Sequence, residues 1–172
     1  MMRQVALLRG VNLGKRQVIM SELRAVCEKA GFTNVETLIA SGNLVLGSKF
    51  KGARLESLLE AVIRNGLGLD TDVHVRSAAE LDAVIAKNPF GAFAKTNPNY
   101  LVVHFMRAEP STADWEMMAK TSFTGEEIKQ GKNCLYMKFP KGQGASKLKT
   151  PKLTTARNWN TVTKLAAMAR AD

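Results

Sequence analysis

The order of strands and helices over residues 3–75 restricts the fold more than any other feature of the sequence. Residues 3–8 are apolar on both faces, which is typical of a central strand, and an amphipathic helix follows. Residues 35–39 and 44–46 predict two strands joined by a turn, before a second amphipathic helix and a strand at 72–75. This βαββαβ order predicts a ferredoxin-like unit, in which two helices pack on one face of a four-stranded antiparallel sheet.

Two polar segments are expected to meet at one edge of that sheet. When the strands are followed in order, the connection after the first strand and the turn between the second and third strands lie at the same edge. These connections are the basic, glycine-containing loop 9–16 and the turn 41–43. Backbone amides and basic side chains in such loops favour anions. We therefore predict a ligand-binding site at this edge, formed by Arg9, Asn12, Lys15, Ser41 and Asn43.

The second half of the chain repeats much of this order. Ser77 and Glu80 form a capping box, which predicts a third helix. The run 90–99 contains Gly and Pro and is the best internal boundary, so we expect domains at 1–88 and 89–172. The later segments predict a strand, a helix and a hairpin, at residues 100–106, 111–120, 126–130 and 135–139. The predicted fold class is α+β, with two ferredoxin-like (βαββαβ-type) α/β sandwich units, the second incomplete or rearranged.

The C-terminal stretch 154–165 carries an arginine where helices rarely place one. We predict a helix that begins at Thr154 or Thr155, which puts Arg157 in its first turn. The helix dipole already supplies positive charge there, so a cation costs about 0.3–1 kcal/mol unless an anion lies nearby. Because departures from local rules tend to mark function, Arg157 predicts an anion site.

The rest of that helix completes the predicted site. Asn158 and Lys164 are expected to bind the ligand together with Arg157. Trp159, Val162, Ala166 and Ala169 are expected to form a buried stripe, and Arg157, Thr161 and Lys164 a different one. A structural alternative stays open, in which Asn158 and Asn160 cap the chain and Arg157 pairs with a carboxylate. The sequence does not decide between these interpretations.

The positive charge is concentrated near the C-terminus. Residues 129–172 contain 10 Lys and Arg against Asp172 alone, which gives +9, whereas residues 1–128 contain 15 basic and 14 acidic residues, which gives +1. Such asymmetry favours an anionic partner for the last quarter of the chain. A solvated basic surface that only aids solubility is the alternative.

Other functional classes receive no support from the sequence. No stretch is long and apolar enough for a membrane span and no signal peptide is recognisable, so a cytoplasmic location is expected. Cys27 and Cys134 are far apart and are interpreted as buried apolar residues, so no metal or cofactor is predicted. His104 is expected in the middle of a strand, which favours a structural role.

Three motifs carry a resemblance to a known family. They are Leu-Leu-Arg-Gly-Val-Asn-Leu-Gly at 7–14, Ser-Gly-Asn at 41–43 and Thr-Ala-Arg-Asn-Trp-Asn-Thr-Val at 155–162. Because the three motifs occur together and in the family's order, the chain resembles the bacterial family called domain of unknown function 1697. The resemblance covers nearly the whole length of the chain. The resemblance implies a fold of two ferredoxin-like α/β units. It implies no activity, because the family name records none.

Three functions fit these features. The first is a binding protein or enzyme for a phosphate-bearing small molecule or other anion at the Arg/Asn/Lys site; catalysis stays open, because no base, nucleophile or metal constellation is visible. The second is binding of RNA or single-stranded DNA, although the RNP signature is missing and aromatic residues make up only 6%. Its expected contacts are Lys147, Lys149, Lys152 and Arg157. The third is a basic interaction domain without catalysis.

Overall fold

The fold consists of two compact units, each built on its own sheet. The computed structural model describes residues 1–11, 17–39 and 42–171. Unit 1 comprises Met1–Asp82 and Leu165–Asp172, and unit 2 comprises Ala83–Lys164. Each contains a four-stranded antiparallel sheet, which confirms the α+β class. The strands of each sheet lie on one side of residue 88, while the domains at 1–88 and 89–172 stay a prediction.

Unit 1 has its first strand in the centre of the sheet, as the apolar pattern predicts. Its elements are β1 (Met2–Leu8), α1 (Met20–Lys29), β2 (Thr33–Leu38), β3 (Asn43–Ser48), α2 (Gly52–Leu67) and β4 (Val73–Ser77). The strand order is β2-β3-β1-β4. Ala6 and Leu8 of β1 pack with Leu23 of α1 and Leu59 of α2 in one buried cluster. Burial of these side chains is the main stabilising contribution to the unit.

Unit 2 repeats this strand order after two intervening helices. Its strands and helices follow α3 (Ala78–Ala86) and α4 (Gly91–Thr96), and they are β5 (Leu101–Met106), α5 (Thr112–Thr121), β6 (Glu127–Gly131), β7 (Cys134–Lys138) and β8 (Thr154–Asn158). Helix α6 (Trp159–Arg170) begins in unit 2 and ends in unit 1. The strand order is β6-β7-β5-β8. Helix α4 lies within the run that the sequence indicated as a boundary. Among the described residues, no helix is long and apolar enough to cross a bilayer.

The two units differ in the connection before their fourth strands. In unit 1 the connection from β3 to β4 contains the long helix α2. In unit 2 the connection from β7 to β8 contains only a 3-10 turn at Gln143–Ala145. Leu148 in this connection packs against the buried cluster that includes Met118 and Leu135. A lysine-rich segment therefore stands where unit 1 has a helix.

The prediction of a helix start at Thr154 or Thr155 is wrong. Residues Thr154–Asn158 form the edge strand β8, in which Ala156 pairs with His104 and Arg157 with Val103. The two adjacent threonines are β-branched and suit a strand, and pairing with β5 satisfies the backbone groups of this segment. Helix α6 begins only at Trp159, so Arg157 is not in a first turn.

The last-but-one residue of each fourth strand is an arginine, and the two arginines have the same local geometry. Arg76 of β4 donates from Nη1 to the carbonyl of Val75 at 2.8 Å. Arg157 of β8 donates from Nη1 to the carbonyl of Ala156, also at 2.8 Å. Both arginines are buried and lie opposite a valine of the central strand, Val5 and Val103 respectively. The units thus share a strand ending as well as a strand order.

The residue after each arginine caps the following helix. The predicted capping box is confirmed, because Ser77 Oγ accepts from the Glu80 amide at 3.1 Å and Glu80 Oε2 accepts from the Ser77 amide at 2.7 Å. In unit 2, Asn158 Oδ1 accepts from the Thr161 amide at 3.0 Å. Both caps satisfy amides that the first turn of a helix leaves without backbone partners.

The predicted meeting of two segments at one edge of the first sheet is confirmed for the described residues. Leu7 is paired with Asn43, and the Leu8 amide donates to the Gly42 carbonyl at 2.9 Å. Gly42 has φ +79°, and a Cβ there would lie 2.5 Å from Val11 Cγ2. The edge is therefore held by a close approach that only glycine permits. Residues 12–16 and 40–41 lie outside the described residues.

Gly42→Ala is expected to destabilise the protein more than Gly31→Ala. Both glycines have positive φ, which costs alanine about 1–2 kcal/mol, but a Cβ at Gly31 would meet no atom within 4 Å. The contact with Val11 should add about 1–3 kcal/mol of overpacking in the Gly42 variant. Urea denaturation of both variants measures the difference. Equal free energies of unfolding would show that the edge tolerates the extra carbon.

Candidate functional site

Arg9 lies at the predicted edge, but its charge is offset. Its Nη1 lies 3.2 Å from Asp72 Oδ2, and its side chain is 39% exposed. The carbonyl of Arg9 accepts from Thr71 Oγ1 at 2.7 Å, which fixes its backbone. Arg9 lines a pocket of about 160 Å³ that contains a second arginine and three acids: Arg64, Glu60, Asp70 and Asp72. Acidic side chains therefore outnumber the arginines in this pocket.

Asn43 has a structural contact. It is fully buried, and its Nδ2 donates to the Leu38 carbonyl at 2.8 Å, across the β2–β3 pair. This bond ties the ends of two adjacent strands. The other candidates at this edge, Asn12, Lys15 and Ser41, lie outside the described residues and stay predictions.

Arg157 is buried, so the prediction that it stands outside the core is wrong. Only 7% of the residue is exposed. Its Nη1 donates to Thr155 Oγ1 at 2.7 Å as well as to the preceding carbonyl. Burial lowers the pKa of the guanidinium to about 10, because removal from water disfavours the charged form. Arg157 therefore does not contribute to an exposed basic surface.

The remaining candidates have different environments. Asn158 is half-buried and caps α6, as the structural alternative holds. Lys164 is exposed on the same helix. Of the described candidates, Arg9 and Asn43 belong to unit 1, and Arg157, Asn158 and Lys164 belong to unit 2. Within the predicted core stripe, Val162, Ala166 and Ala169 are buried and Trp159 is half-buried.

A basic surface is present in unit 2, on the segment that stands in place of a helix. We call residues 146–152 the lysine segment. Lys147, Lys149 and Lys152 are exposed, whereas Leu148 packs on the buried cluster and Pro151 is buried. Apolar side chains thus anchor the segment while its ammonium groups face water. Among the described residues, none of these three lysines forms an ion pair with a carboxylate.

Glu126 holds the lysine segment in place. Its Oε1 accepts from Ser146 Oγ at 2.7 Å and from Thr124 Oγ1, and its Oε2 accepts from Ser122 Oγ at 2.9 Å and from the Thr124 amide at 3.0 Å. Burial opposes its ionisation, but the hydrogen bonds from Thr124 and Ser146 outweigh this and lower the pKa of Glu126 to about 2. The carboxylate is therefore ionised at neutral pH and joins two loops.

Two aromatic residues of unit 2 are exposed. Phe123 is 70% exposed and lies between Ser122 and Thr124, the two residues of its loop that bind Glu126. Tyr100 is 42% exposed, and a Cβ at Gly142 would lie 3.2 Å from its ring. Phe123 is thus next to Ser122 and Thr124, and Lys147 is next to Ser146, all of which bind the carboxylate of Glu126.

Sequence reasoning missed Glu126 and Phe123. The available signal was three hydroxyl residues shortly before the acid, Thr121, Ser122 and Thr124, which can supply donors to a carboxylate. The second missed signal was the spacing of lysines around Leu148 and Pro151, which indicates a segment with an inner and an outer side. Neither pattern belongs to a regular helix or strand.

The described residues contain no metal-binding cluster. Within the described ranges, no group of three or more His, Cys, Asp or Glu residues could hold a metal ion. His104 is buried in the middle of β5, with Nδ1 3.3 Å from Thr154 Oγ1, in keeping with its predicted structural role. Burial lowers the pKa of His104 to about 4, so the ring is neutral near neutral pH.

Comparison with known proteins identifies the family. A family model described as "Protein of unknown function (DUF1697)" matches residues 1–136. The chain belongs to the DUF1697 family. The matched range ends before the lysine segment and β8, so these parts of this DUF1697 protein lie beyond it.

A solved structure shares the fold of this DUF1697 protein. The chain is similar to the conserved bacterial protein SP0830 from Streptococcus pneumoniae, with a TM-score of 0.76 and 24% sequence identity, over 98% of each chain. At this identity the similarity shows the fold alone. No curated protein matches the chain.

Arg157→Ala in this DUF1697 protein is expected to reduce stability. It removes the donors to Thr155 Oγ1 and to the Ala156 carbonyl, which should lower the free energy of unfolding by about 1–3 kcal/mol. Lys164→Ala, at an exposed position, should change it by no more than about 0.5 kcal/mol. Urea denaturation measures both. Unchanged stability of Arg157→Ala, combined with lost anion binding, would support the original ligand-facing interpretation.

Proposed function

We propose that this protein binds RNA or single-stranded DNA on the exposed surface of unit 2. The surface consists of Lys147, Lys149 and Lys152 of the lysine segment and the ring of Phe123. The observation that carries the proposal is the Glu126 carboxylate, which binds Ser146 of the lysine segment and both neighbours of Phe123. Cations and an aromatic ring are therefore held near one another before a ligand arrives.

This combination suits a flexible phosphate chain. Proteins that bind single strands without sequence preference combine lysines along the backbone with aromatic rings on which bases stack. Stacking on one ring is worth about 1–3 kcal/mol per base, and each neutralised phosphate adds salt-dependent affinity. The lysines have no carboxylate partners among the described residues, so their charge is available to phosphates. Arg157 is excluded from the contacts, because it is buried.

A phosphate-bearing small molecule at the first sheet edge has less support. Arg9 is paired with Asp72, and Asn43 is occupied by the Leu38 carbonyl. That proposal now depends on Asn12, Lys15 and Ser41, which lie outside the described residues. The two ligand classes differ in the number of cations that they contact, since a small phosphate compound needs far fewer than a single strand.

Two further proposals concern fold and location. We propose that each unit is ferredoxin-like, unit 2 in a rearranged form. The strand orders β2-β3-β1-β4 and β6-β7-β5-β8 support the ferredoxin-like assignment of both units. The connection before β8, which has no α-helix, supports the rearranged form of unit 2. We also propose a cytoplasmic location, where the buried thiols of Cys27 and Cys134 would stay reduced.

Replacement of Lys147, Lys149 and Lys152 by Gln together should weaken binding of a labelled oligothymidylate or oligouridylate. Each phosphate contact on a single strand contributes about 0.7 to the slope of log K against log salt, so the slope should become shallower by about 2. Phe123→Ala should weaken binding by about 1–3 kcal/mol without a change in slope. Fluorescence anisotropy over a salt series measures both quantities.

The matched control replaces the exposed Lys29, Lys51 and Lys87 by Gln, which removes the same charge elsewhere. We expect this control to retain most of the slope. An equal loss in both triple variants would indicate attraction by net charge alone, and the proposed surface would be wrong. Absence of binding by the unaltered protein at low salt would refute nucleic-acid binding itself.

A further inference from the structure

A larger pocket lies in unit 1, at the other end of β3 from Gly42. Its volume is about 350 Å³, and Phe32, Phe50, Leu58 and Val62 are among its lining residues. Ligand pockets commonly measure about 300–1,000 Å³, so this one suits a small molecule. Gly31 also lines it, and a Cβ at Gly31 would meet no atom within 4 Å.

Helix α2 has apolar side chains beyond those that it buries in the core of unit 1. Leu55, Leu59 and Ile63 are fully buried in the core of unit 1. Leu58 and Val62 lie on the adjacent stripe of the helix, are only half-buried, and line the pocket. With Phe32 and Phe50 they form an apolar wall, which favours an apolar ligand body because its burial releases water from both surfaces.

One cation lines this pocket, and a second lies over the ring of a lining residue. Lys49 lines it, and its Nζ lies 5.3 Å from the centroid of the Phe50 ring. Arg54 lies over the same ring, with Cζ 4.2 Å from the centroid. Both side chains belong to exposed residues, and neither forms an ion pair in the described part of the chain. None of the described residues that line the pocket is acidic.

We propose that this pocket binds a small aromatic acid, with its ring among Phe32, Phe50, Leu58 and Val62 and its anionic group at Lys49 and Arg54. The volume is large enough for a compact ring. The phenyl rings of Phe32 and Phe50 can pack against an aromatic ligand in offset or edge-to-face geometry. The site lies in unit 1 and is independent of the nucleic-acid surface in unit 2.

The probe is anilinonaphthalene sulfonate, an aromatic anion whose fluorescence rises in apolar surroundings. We expect saturable binding at one site, with affinity reduced at least about tenfold by Val62→Trp, which fills the pocket. Lys49→Gln should reduce affinity about threefold to fivefold, since one exposed charge contact is lost. Lys132→Gln, which removes an exposed lysine in unit 2, should leave it unchanged. Neutral anilinonaphthalene should bind more weakly, and decanoate should not displace the probe.

Leu58→Trp provides a second filling variant, and it decides the outcome if Val62→Trp does not fold by circular dichroism. Unchanged probe affinity in a folded filling variant would place the probe elsewhere and overturn the proposal. Equal affinity of the neutral analogue would refute the role of the cations. Displacement by decanoate would show that the pocket takes an alkyl chain, which contradicts the assignment of an aromatic ligand.

Discussion

One buried carboxylate organises the lysine segment, the surface proposed to bind single strands. Glu126 accepts hydrogen bonds from residues of two loops, and these bonds lower its pKa to about 2 despite burial. The Lys149 amide donates to Thr121 Oγ1 at 2.9 Å, which adds a second tie to the end of α5. Without these contacts the lysine segment would be held mainly by Leu148 and Pro151. The arrangement keeps the lysines in water while their backbone is fixed.

The two units use one plan and differ where unit 2 carries its charge. Each fourth strand has a buried arginine opposite a central valine, and its last residue caps the next helix. In unit 1 the preceding connection is α2, which supplies core side chains; in unit 2 it is the lysine segment, of which only Leu148 joins the cluster. Because unit 2 has the lysine segment in place of a helix, Lys147, Lys149 and Lys152 face solvent.

Much of the fold follows from sequence patterns. The apolar run of β1, the capping box at Ser77 and the hairpin of β6 and β7 each have a local signal that tertiary contacts reinforce. Strand β8 does not, because Thr154–Asn158 contains little apolar surface and its state is decided by pairing with β5. The sequence pattern therefore predicts Arg157 in an exposed first turn of a helix. In the structure Arg157 is part of the edge strand β8 and is buried. Glu126 could not be ranked as important, because its partner Ser146 is distant in sequence.

Comparison of Glu126→Gln with Glu127→Gln shows whether the buried carboxylate organises the proposed binding surface. Both variants raise the net charge by one unit, but Glu127 is exposed and pairs with Lys138, whereas Glu126 holds the lysine segment. If anchoring matters, Glu126→Gln binds single-stranded oligonucleotide more weakly than Glu127→Gln in fluorescence anisotropy, against the direction expected from charge alone. Equal or tighter binding by folded Glu126→Gln would show that the carboxylate does not organise the binding surface.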